Sequence, residues 1–324
     1  MKILVTGGAG FIGSHLCERL LSEGHNVVNI DNYNDYYDPQ IKRKNVRNSL
    51  LNENYTFYEA DIRDADLMRE IFGHEEIDAV VHLAAMAGVR PSIENPLLYT
   101  EVNIVGTVNI LNEIVRNKIQ NFVFASSSSV YGNSKKDVFS EDDNVDFPIS
   151  PYAASKKSIE LIAHTYHHLY DISTVGLRFF TVYGPRQRPD LAIHKFAKKI
   201  IKGEKISLYG DGSTMRDYTF IDDIINGVVK AINYSVENSC YEIFNLGESR
   251  TISLLEMVDV IEKKIGKKAI REFLPMQPGD VDKTSADISK SKKMLGYNPQ
   301  TDFEEGISKF IDWLEEDDEF DVFK

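Results

Sequence analysis

Short runs of apolar and β-branched residues alternate with longer segments of helical periodicity through the first half of the chain. The short runs are apolar on both faces, which is typical of covered strands in a parallel sheet. We predict six strands, at residues 2–6, 26–31, 55–58, 79–83, 122–126 and 174–179. Between them, apolar residues recur every three to four positions, which predicts crossover helices. These helices span residues 13–22, 64–72, 96–115 and 153–170.

Alternating strands and helices of this kind predict an α/β fold with a doubly wound, Rossmann-type parallel sheet. After about residue 181 the pattern changes, because clusters of glycine and proline separate shorter elements. We therefore expect a larger domain over residues 1–180, to which some later segments return, and a smaller mixed α/β domain over residues 181–324.

The composition excludes several classes of protein. With 42% hydrophobic residues among 324, the chain can bury a sizeable core. It carries 37 Lys and Arg against 50 Asp and Glu, and a net charge of −13 disfavours nucleic acid as a partner. No apolar run reaches the roughly 18 residues that a membrane span needs, and the N-terminus lacks the pattern of a signal peptide.

The cysteine content is low. Cys17 and Cys240 are the only cysteines, so neither a disulfide framework nor a metal cluster is expected. Two isolated thiols are typical of a reducing compartment, and we expect a cytoplasmic protein without a bound metal.

A glycine-rich turn follows the first predicted strand directly. Residues 7–13 read GGAGFIG, with Gly7, Gly10 and Gly13 at the positions that allow a tight turn and close helix packing. The free amides and the dipole at a helix N-terminus favour an anion such as a phosphate. Asp31 ends the second strand, where a carboxylate accepts hydrogen bonds from the adenosine ribose and repels a 2′-phosphate. The pattern favours NAD over NADP as the cofactor.

A tyrosine and a lysine stand four residues apart at the start of a predicted helix. Tyr152 and Lys156 follow Ser150, a plausible N-cap, and Pro151 at the first helical position. The spacing puts both side chains on one helix face. A nearby ammonium favours the phenolate and lowers the tyrosine pKa towards the range of a general base.

A run of serines, residues 126–129, ends the fifth predicted strand about 25 residues before Tyr152. Together with the GxxGxxG turn, it resembles the extended short-chain dehydrogenase/reductase family. The resemblance implies that Ser127, Tyr152 and Lys156 are the catalytic residues. It also implies that Tyr152, Lys156 and the glycine turn contact the coenzyme, together with Phe11, Ile12, Asp61, Ile62, Leu83, Ala84 and Ala85.

Over nearly the whole chain the resemblance points to nucleotide-sugar epimerases. In that family the base removes the proton of the sugar 4-hydroxyl while hydride passes from carbon 4 to NAD. The 4-keto sugar turns over before hydride returns to its opposite face, so NAD is regenerated in each turnover. Related dehydratases and decarboxylases carry an acidic residue in the serine segment, whereas this chain has serines throughout it. Epimerisation is therefore favoured.

Arginines of the second domain are suited to the diphosphate of a UDP-sugar. By resemblance, Arg186 and Arg216 would clamp the diphosphate, Asp280 would bind the uridine ribose and Tyr209 would lie beside the base. Arg188 has no assigned role.

Three further segments resemble UDP-glucuronate 4-epimerases more than UDP-glucose 4-epimerases. They are residues 87–92, the segment around Thr181 and residues 275–281. Neutral-sugar enzymes typically carry asparagine at the Thr181 position. Amides around Gly88, Val89 and Arg90, with the hydroxyls of Ser128 and Thr181, would bind the hexuronate carboxylate without a full positive charge. Gln277 departs from the pattern, because many relatives have arginine there.

Several alternatives remain open from the sequence. The chain could instead epimerise UDP-glucose or UDP-N-acetylglucosamine, act as a dehydratase or decarboxylase, or serve as a catalytically silent NAD sensor or an interaction subunit. Family members pair through two helices of the large domain, so the resemblance also implies a homodimer.

Overall fold

The computed structural model describes residues 1–276 and 282–316 as an α/β protein. Within them, the strands are β1 Lys2–Thr6, β2 Asn26–Asp31, β3 Tyr55–Glu59, β4 Ala79–His82, β5 Asn121–Ser127, β6 Ser173–Phe179, β7 Thr181–Tyr183, β8 Lys205–Tyr209, β9 Met215–Phe220, β10 Tyr241–Leu246, β11 Thr251–Ser253 and β12 Ile270–Leu274. The helices are α1 Phe11–Ser22, α2 Pro39–Val46, α3 Ala65–His74, α4 Val89–Glu94, α5 Pro96–Tyr99, α6 Gly106–Arg116, α7 Pro151–Tyr170, α8 Ala192–Lys202, α9 Ile221–Glu237, α10 Leu254–Ile265, α11 Ser289–Leu295 and α12 Phe303–Glu316.

The large sheet has seven strands in the order β10-β6-β5-β4-β1-β2-β3, and every pairing is parallel. The predicted doubly wound sheet is confirmed, and all six predicted strands belong to it. The seventh strand, β10, comes from the second half of the chain and pairs with β6. Apolar residues cover both faces, as the runs along the strands predict: Ile3 and Val5 join one buried cluster and Leu4 the other.

The predicted helix over residues 96–115 is interrupted. Its first turn is α5, the segment Thr100–Val105 is a π-helix, and α6 completes it. The wider turn buries Asn103, whose side-chain nitrogen donates to the Met86 carbonyl (3.0 Å) and to the Ser155 hydroxyl (2.9 Å). The interruption therefore links the segment after β4 to α7, and single-turn π segments often occur at functional sites.

The remaining strands form two small sheets. β9 lies between β11 and β7, antiparallel to the first and parallel to the second, and β8 pairs with β12 in parallel. β7 follows β6 after one residue, so the strands of the small sheets begin next to the carboxyl ends of the strands of the large sheet. No helix in the described part of the chain is both long and apolar enough to cross a membrane.

Candidate active site

A cleft of about 390 Å³ lies along the carboxyl ends of the large sheet. Ligands bind at this edge in doubly wound folds, because the crossover loops diverge there. The structure brings most of the predicted site residues together as its lining: Gly7, Gly10, Phe11, Ile12, Gly13, Asp31, Asp61, Ile62, Leu83, Ala84, Ala85, Gly88, Ser127, Tyr152, Lys156 and Thr181.

The glycine turn at one end of the cleft leaves no room for side chains. Gly7 has a φ of +75°, and a Cβ there would lie 2.7 Å from the Ala84 nitrogen. A Cβ on Gly13 would lie 2.7 Å from the Gly8 Cα. Helix α1 begins directly after Gly10 without a side-chain cap, which leaves its first amides free for an anion. This cradle fits the diphosphate of a dinucleotide.

Asp31 is buried at the end of β2 and held in place by backbone amides. The Ala9 N–H donates to one carboxylate oxygen (3.0 Å) and the Tyr33 N–H to the other (2.9 Å). Burial raises the pKa of this carboxyl, and the two amide bonds oppose the rise. Each oxygen retains a further lone pair, so the carboxylate can also accept from a ligand hydroxyl.

Asp61 lies beside it on the cleft wall. Burial disfavours its ionised form, but hydrogen bonds from Arg63 and Asn32 outweigh that effect and lower its pKa. A stable carboxylate of this kind can accept hydrogen bonds from an amino group or a ribose.

Helix α7 presents Tyr152 and Lys156 to the cleft on one face, as their spacing predicts. Ser150 caps the helix by accepting from the Ala153 N–H (3.1 Å), and Pro151 is the first helical residue. The Lys156 side chain is buried, and its ammonium donates to the Ala125 carbonyl (2.8 Å). Burial lowers its pKa to about 8.

The Tyr152 phenol is affected by different partners from those expected. Burial raises its pKa, while the nearby Ser127 hydroxyl and the charge of Arg188 act to lower it. The Lys156 ammonium donates to the Ala125 carbonyl, and the expectation that it lowers this pKa together with a bound positive nicotinamide stays a prediction. The nearby cation that favours the phenolate is Arg188.

The two arginines of the loop after β7 point to opposite sides. Arg188 lines the cleft, donates to Asp190 through Nε (3.0 Å) and Nη2 (2.6 Å), and lies 5.0 Å above the Tyr36 ring. Arg186 does not line the cleft and instead donates to Glu18 of α1 (2.9 Å). In this structure Arg186, which was predicted to clamp the diphosphate, is directed to α1, and Arg188 is the arginine that lines the cleft.

The other predicted substrate residues that the structure describes are not among those that line the cleft. Val89 and Arg90 begin α4, and the Arg90 guanidinium lies 5.1 Å above the ring of Tyr209. Ser128 starts a short 3-10 turn after β5, and Arg216, on β9, donates to the Met215 carbonyl (2.8 Å). Asp280 and Gln277 lie outside the described residues.

Several lining residues were not predicted. They belong to the segment after β2, where Asn34, Tyr36, Tyr37 and Lys42 face the cleft. The Lys42 ammonium donates to the Asn34 carbonyl (2.6 Å) and lies 4.7 Å above the Tyr37 ring. The run of asparagines and tyrosines immediately after Asp31 was the available signal.

A buried ion pair lies beside the carboxyl end of β5. Arg178 of β6 donates to both oxygens of Glu160 of α7, each at 2.9 Å, and the Ser126 hydroxyl donates to the same carboxylate (2.6 Å). Tyr131 completes the network by accepting from Arg178 (3.0 Å). The network joins β5, β6 and α7 next to Ser127 and Lys156.

Comparison with known proteins gives a consistent family. The GDP-mannose 4,6 dehydratase family matches residues 4–310. A UDP-glucuronate 4-epimerase from Thermodesulfobacterium geofontis is 45% identical over 314 residues, which cover 97% of this chain and 96% of that protein. The crystal structure of UDP-glucuronic acid 4-epimerase from Bacillus cereus, in complex with UDP-glucuronic acid and NAD, has a TM-score of 0.90 and 39% identity, covering 97% of this chain and 99% of that one. A UDP-glucose 4-epimerase from Thermotoga maritima, with UDP-glucose, has a TM-score of 0.88 and 31% identity, covering 97% and 99%.

Proposed function

We infer that this chain, which belongs to the GDP-mannose 4,6 dehydratase family of extended short-chain dehydrogenases, is an NAD-dependent 4-epimerase of UDP-glucuronate. The observation that carries the inference is the single cleft in which Tyr152, Ser127 and Thr181 meet the glycine turn. Relatives and structural neighbours that act on UDP-glucuronate support the choice of sugar.

Tyr152 is the residue that we propose to move the proton of the sugar 4-hydroxyl. Ser127, which lines the same cleft, would place a second hydroxyl beside the same sugar oxygen. Bound NAD would supply the acceptor, and later the donor, of the carbon-4 hydride. Because hydride would leave to, and return from, the same bound nicotinamide, inversion at carbon 4 would require the 4-keto sugar to present its other face between the two hydride transfers.

We propose that Lys156 and Asp31 hold the two ribose ends of NAD. Lys156 is enclosed beside Tyr152, and Asp31 is fixed next to the Gly7–Gly13 turn by the Ala9 amide. Asp61, with Ile62, would contact the adenine, and the residues after β4 would line the coenzyme channel.

The sugar end of the cleft suggests how the substrate carboxylate is bound. Thr181 and the backbone of Gly88 offer neutral donors, and the Asp190 carboxylate offsets part of the positive charge of Arg188. We propose that these groups bind the hexuronate with little net positive charge, which keeps the 4-keto acid from losing carbon dioxide. Ser128, Val89 and Arg90 remain candidates for the same role, as do Arg216, Tyr209 and Asp280 for the uridine diphosphate.

The test is incubation of the purified protein with UDP-glucuronate without added NAD, followed by proton NMR. Formation of UDP-galacturonate would identify the reaction, the substrate and a retained cofactor together. UDP-glucose and UDP-N-acetylglucosamine are run in parallel, and turnover of either in place of UDP-glucuronate would overturn the proposed substrate. A UDP-pentose product would instead indicate decarboxylation.

Assembly and location are also proposals. Large apolar side chains are exposed on the helices that we expect to pair: Leu97 on α5, and Leu161 and Leu169 on α7, with exposures between 57% and 66%. A homodimer through these helices would cover them. Cys17 and Cys240 are both free, which is compatible with the cytoplasm. We assign residues 1–180, with β10, to the NAD-binding domain and the rest to a UDP-sugar domain.

A further inference from the structure

The loop after β7 has an unusual backbone that separates its two arginines. Gly184 has a φ of +139°, and Arg186 has a φ of +63°, which non-glycine residues rarely adopt. Gln187 between the arginines is buried, and its N–H donates to the Gly184 carbonyl (3.1 Å). The buried Gln187 therefore anchors the middle of the loop, and Arg186 and Arg188 point to opposite sides of it. Such a conformation persists where surrounding contacts hold it.

The contact that holds Arg186 is on α1. Its Nη2 donates to the Glu18 carboxylate at 2.9 Å, and the two side chains are only 21% and 34% exposed. Among the described residues, the buried Nη1 atom of Arg186 has no hydrogen-bond partner. The charge of Arg186 also acts on His15 of the same helix. Burial and this charge together lower the pKa of that histidine to about 4. Arg186 thus packs against α1 beyond its first turn.

We propose that Arg186 is a positioning residue: its ion pair with Glu18 couples helix α1 to the loop at residues 184–190, so that NAD at the start of α1 fixes Arg188 in the cleft. The inference rests on the proposed function, because it takes α1 as the helix that receives the NAD diphosphate. The connection is short at both ends. α1 begins at the glycine turn, and only Gln187 separates the two arginines.

The coupling is tested without turnover by amide hydrogen exchange of residues 184–190, measured with and without NAD. In the wild type, NAD should slow exchange of this segment; in Glu18→Gln and Arg186→Ala the slowing should be lost. Arg186→Lys should retain it, because only one guanidinium nitrogen bonds to Glu18 and a lysine can replace it. The double variant with the two charges swapped, Glu18→Arg with Arg186→Glu, should restore at least part of the NAD-dependent slowing.

The matched control is Glu242→Gln. Glu242 pairs with Lys290 at 2.7 Å, and the side chains of this pair are 28% and 31% exposed, close to the values for Glu18 and Arg186. It lies at the start of β10, at the end of the sheet away from the cleft. Exchange of residues 184–190 in this variant should match the wild type.

Kinetics give the second measurement. In Glu18→Gln, the KM for UDP-glucuronate should rise about 3- to 10-fold while kcat changes less than about 2-fold, because a loosened Arg188 weakens binding more than proton transfer. Equal NAD-dependent protection in the wild type and both disrupted variants, or no protection in the wild type, would overturn the proposal. If the wild type fails to convert UDP-glucuronate, the proposed substrate fails, whereas the exchange result still decides the coupling.

Discussion

Replacing Lys156 with methionine should stabilise the NAD-free protein at neutral pH while abolishing its activity. The Lys156 side chain is buried, and its ammonium donates to the Ala125 carbonyl. Burial lowers its pKa from 10.5 to about 8, so folding acts against the charged form. Methionine has a similar length and carries no charge to desolvate.

The magnitude follows from the two pKa values. Their difference corresponds to about 3 kcal/mol of lost stability at pH 7, and the methionine variant escapes this loss. Loss of the hydrogen bond to the Ala125 carbonyl lowers the stability of the variant by about 1 kcal/mol. The free energy of unfolding of the variant should therefore exceed that of the wild type by about 2 kcal/mol at pH 7. Between pH 8 and 10.5 the unfolded wild type binds a proton that the folded protein has released, so wild-type stability rises with pH in that window. The advantage of the variant should therefore shrink by about 2 kcal/mol by pH 10.

Urea unfolding of NAD-free wild type and variant, at pH 7 and pH 10, measures both quantities. The control is Lys195→Met, where the lysine side chain is exposed on helix α8. A stability difference for Lys156→Met that is the same at both pH values would refute the reasoning, because a packing effect does not depend on proton binding.

Three further variants test other parts of the site. Tyr152→Phe should lower kcat at least about 100-fold with an unchanged unfolding midpoint; near-wild-type turnover would contradict its role as the base. Gly13→Ala should abolish NAD retention, measured as nucleotide released on denaturation, because its Cβ would meet the Gly8 backbone, whereas Gly73→Ala meets no atom within 4 Å and should retain NAD. Glu160→Gln should lower the free energy of unfolding by about 3–5 kcal/mol in urea because it strands the buried Arg178; joint replacement of both by methionine should lose less, and an equal or larger loss would argue against a charge effect.

The strands and the glycine turn could be predicted because their signals are local. A strand that is apolar on both faces indicates a sheet covered on both sides. A glycine-rich turn between a strand and a helix is recognisable from the residues of the turn itself. All six predicted strands were found within a residue of their expected ends. The spacing of Tyr152 and Lys156 likewise fixed their shared helix face.

The directions of charged side chains could not be predicted in the same way. Arg186 and Arg188 differ by two positions, and which one faces the cleft depends on the backbone of Gly184 and Arg186. The π-helical turn at Thr100–Val105 was also hidden, because apolar periodicity continues through it. The pairing of β10 with β6 joins segments far apart in sequence, and no local pattern specifies such a partner.

The position of β10 in the second half of the sequence affects how incomplete chains can fold. β6 is buried along its whole length, yet the strand that covers its outer edge is translated only after residues 180–240. A nascent chain or a truncated fragment ending at residue 180 would present this apolar edge to other molecules, which favours aggregation. A fragment meant to fold alone, or a chimera that exchanges the substrate-binding half, should therefore keep residues 241–246 from the same parent.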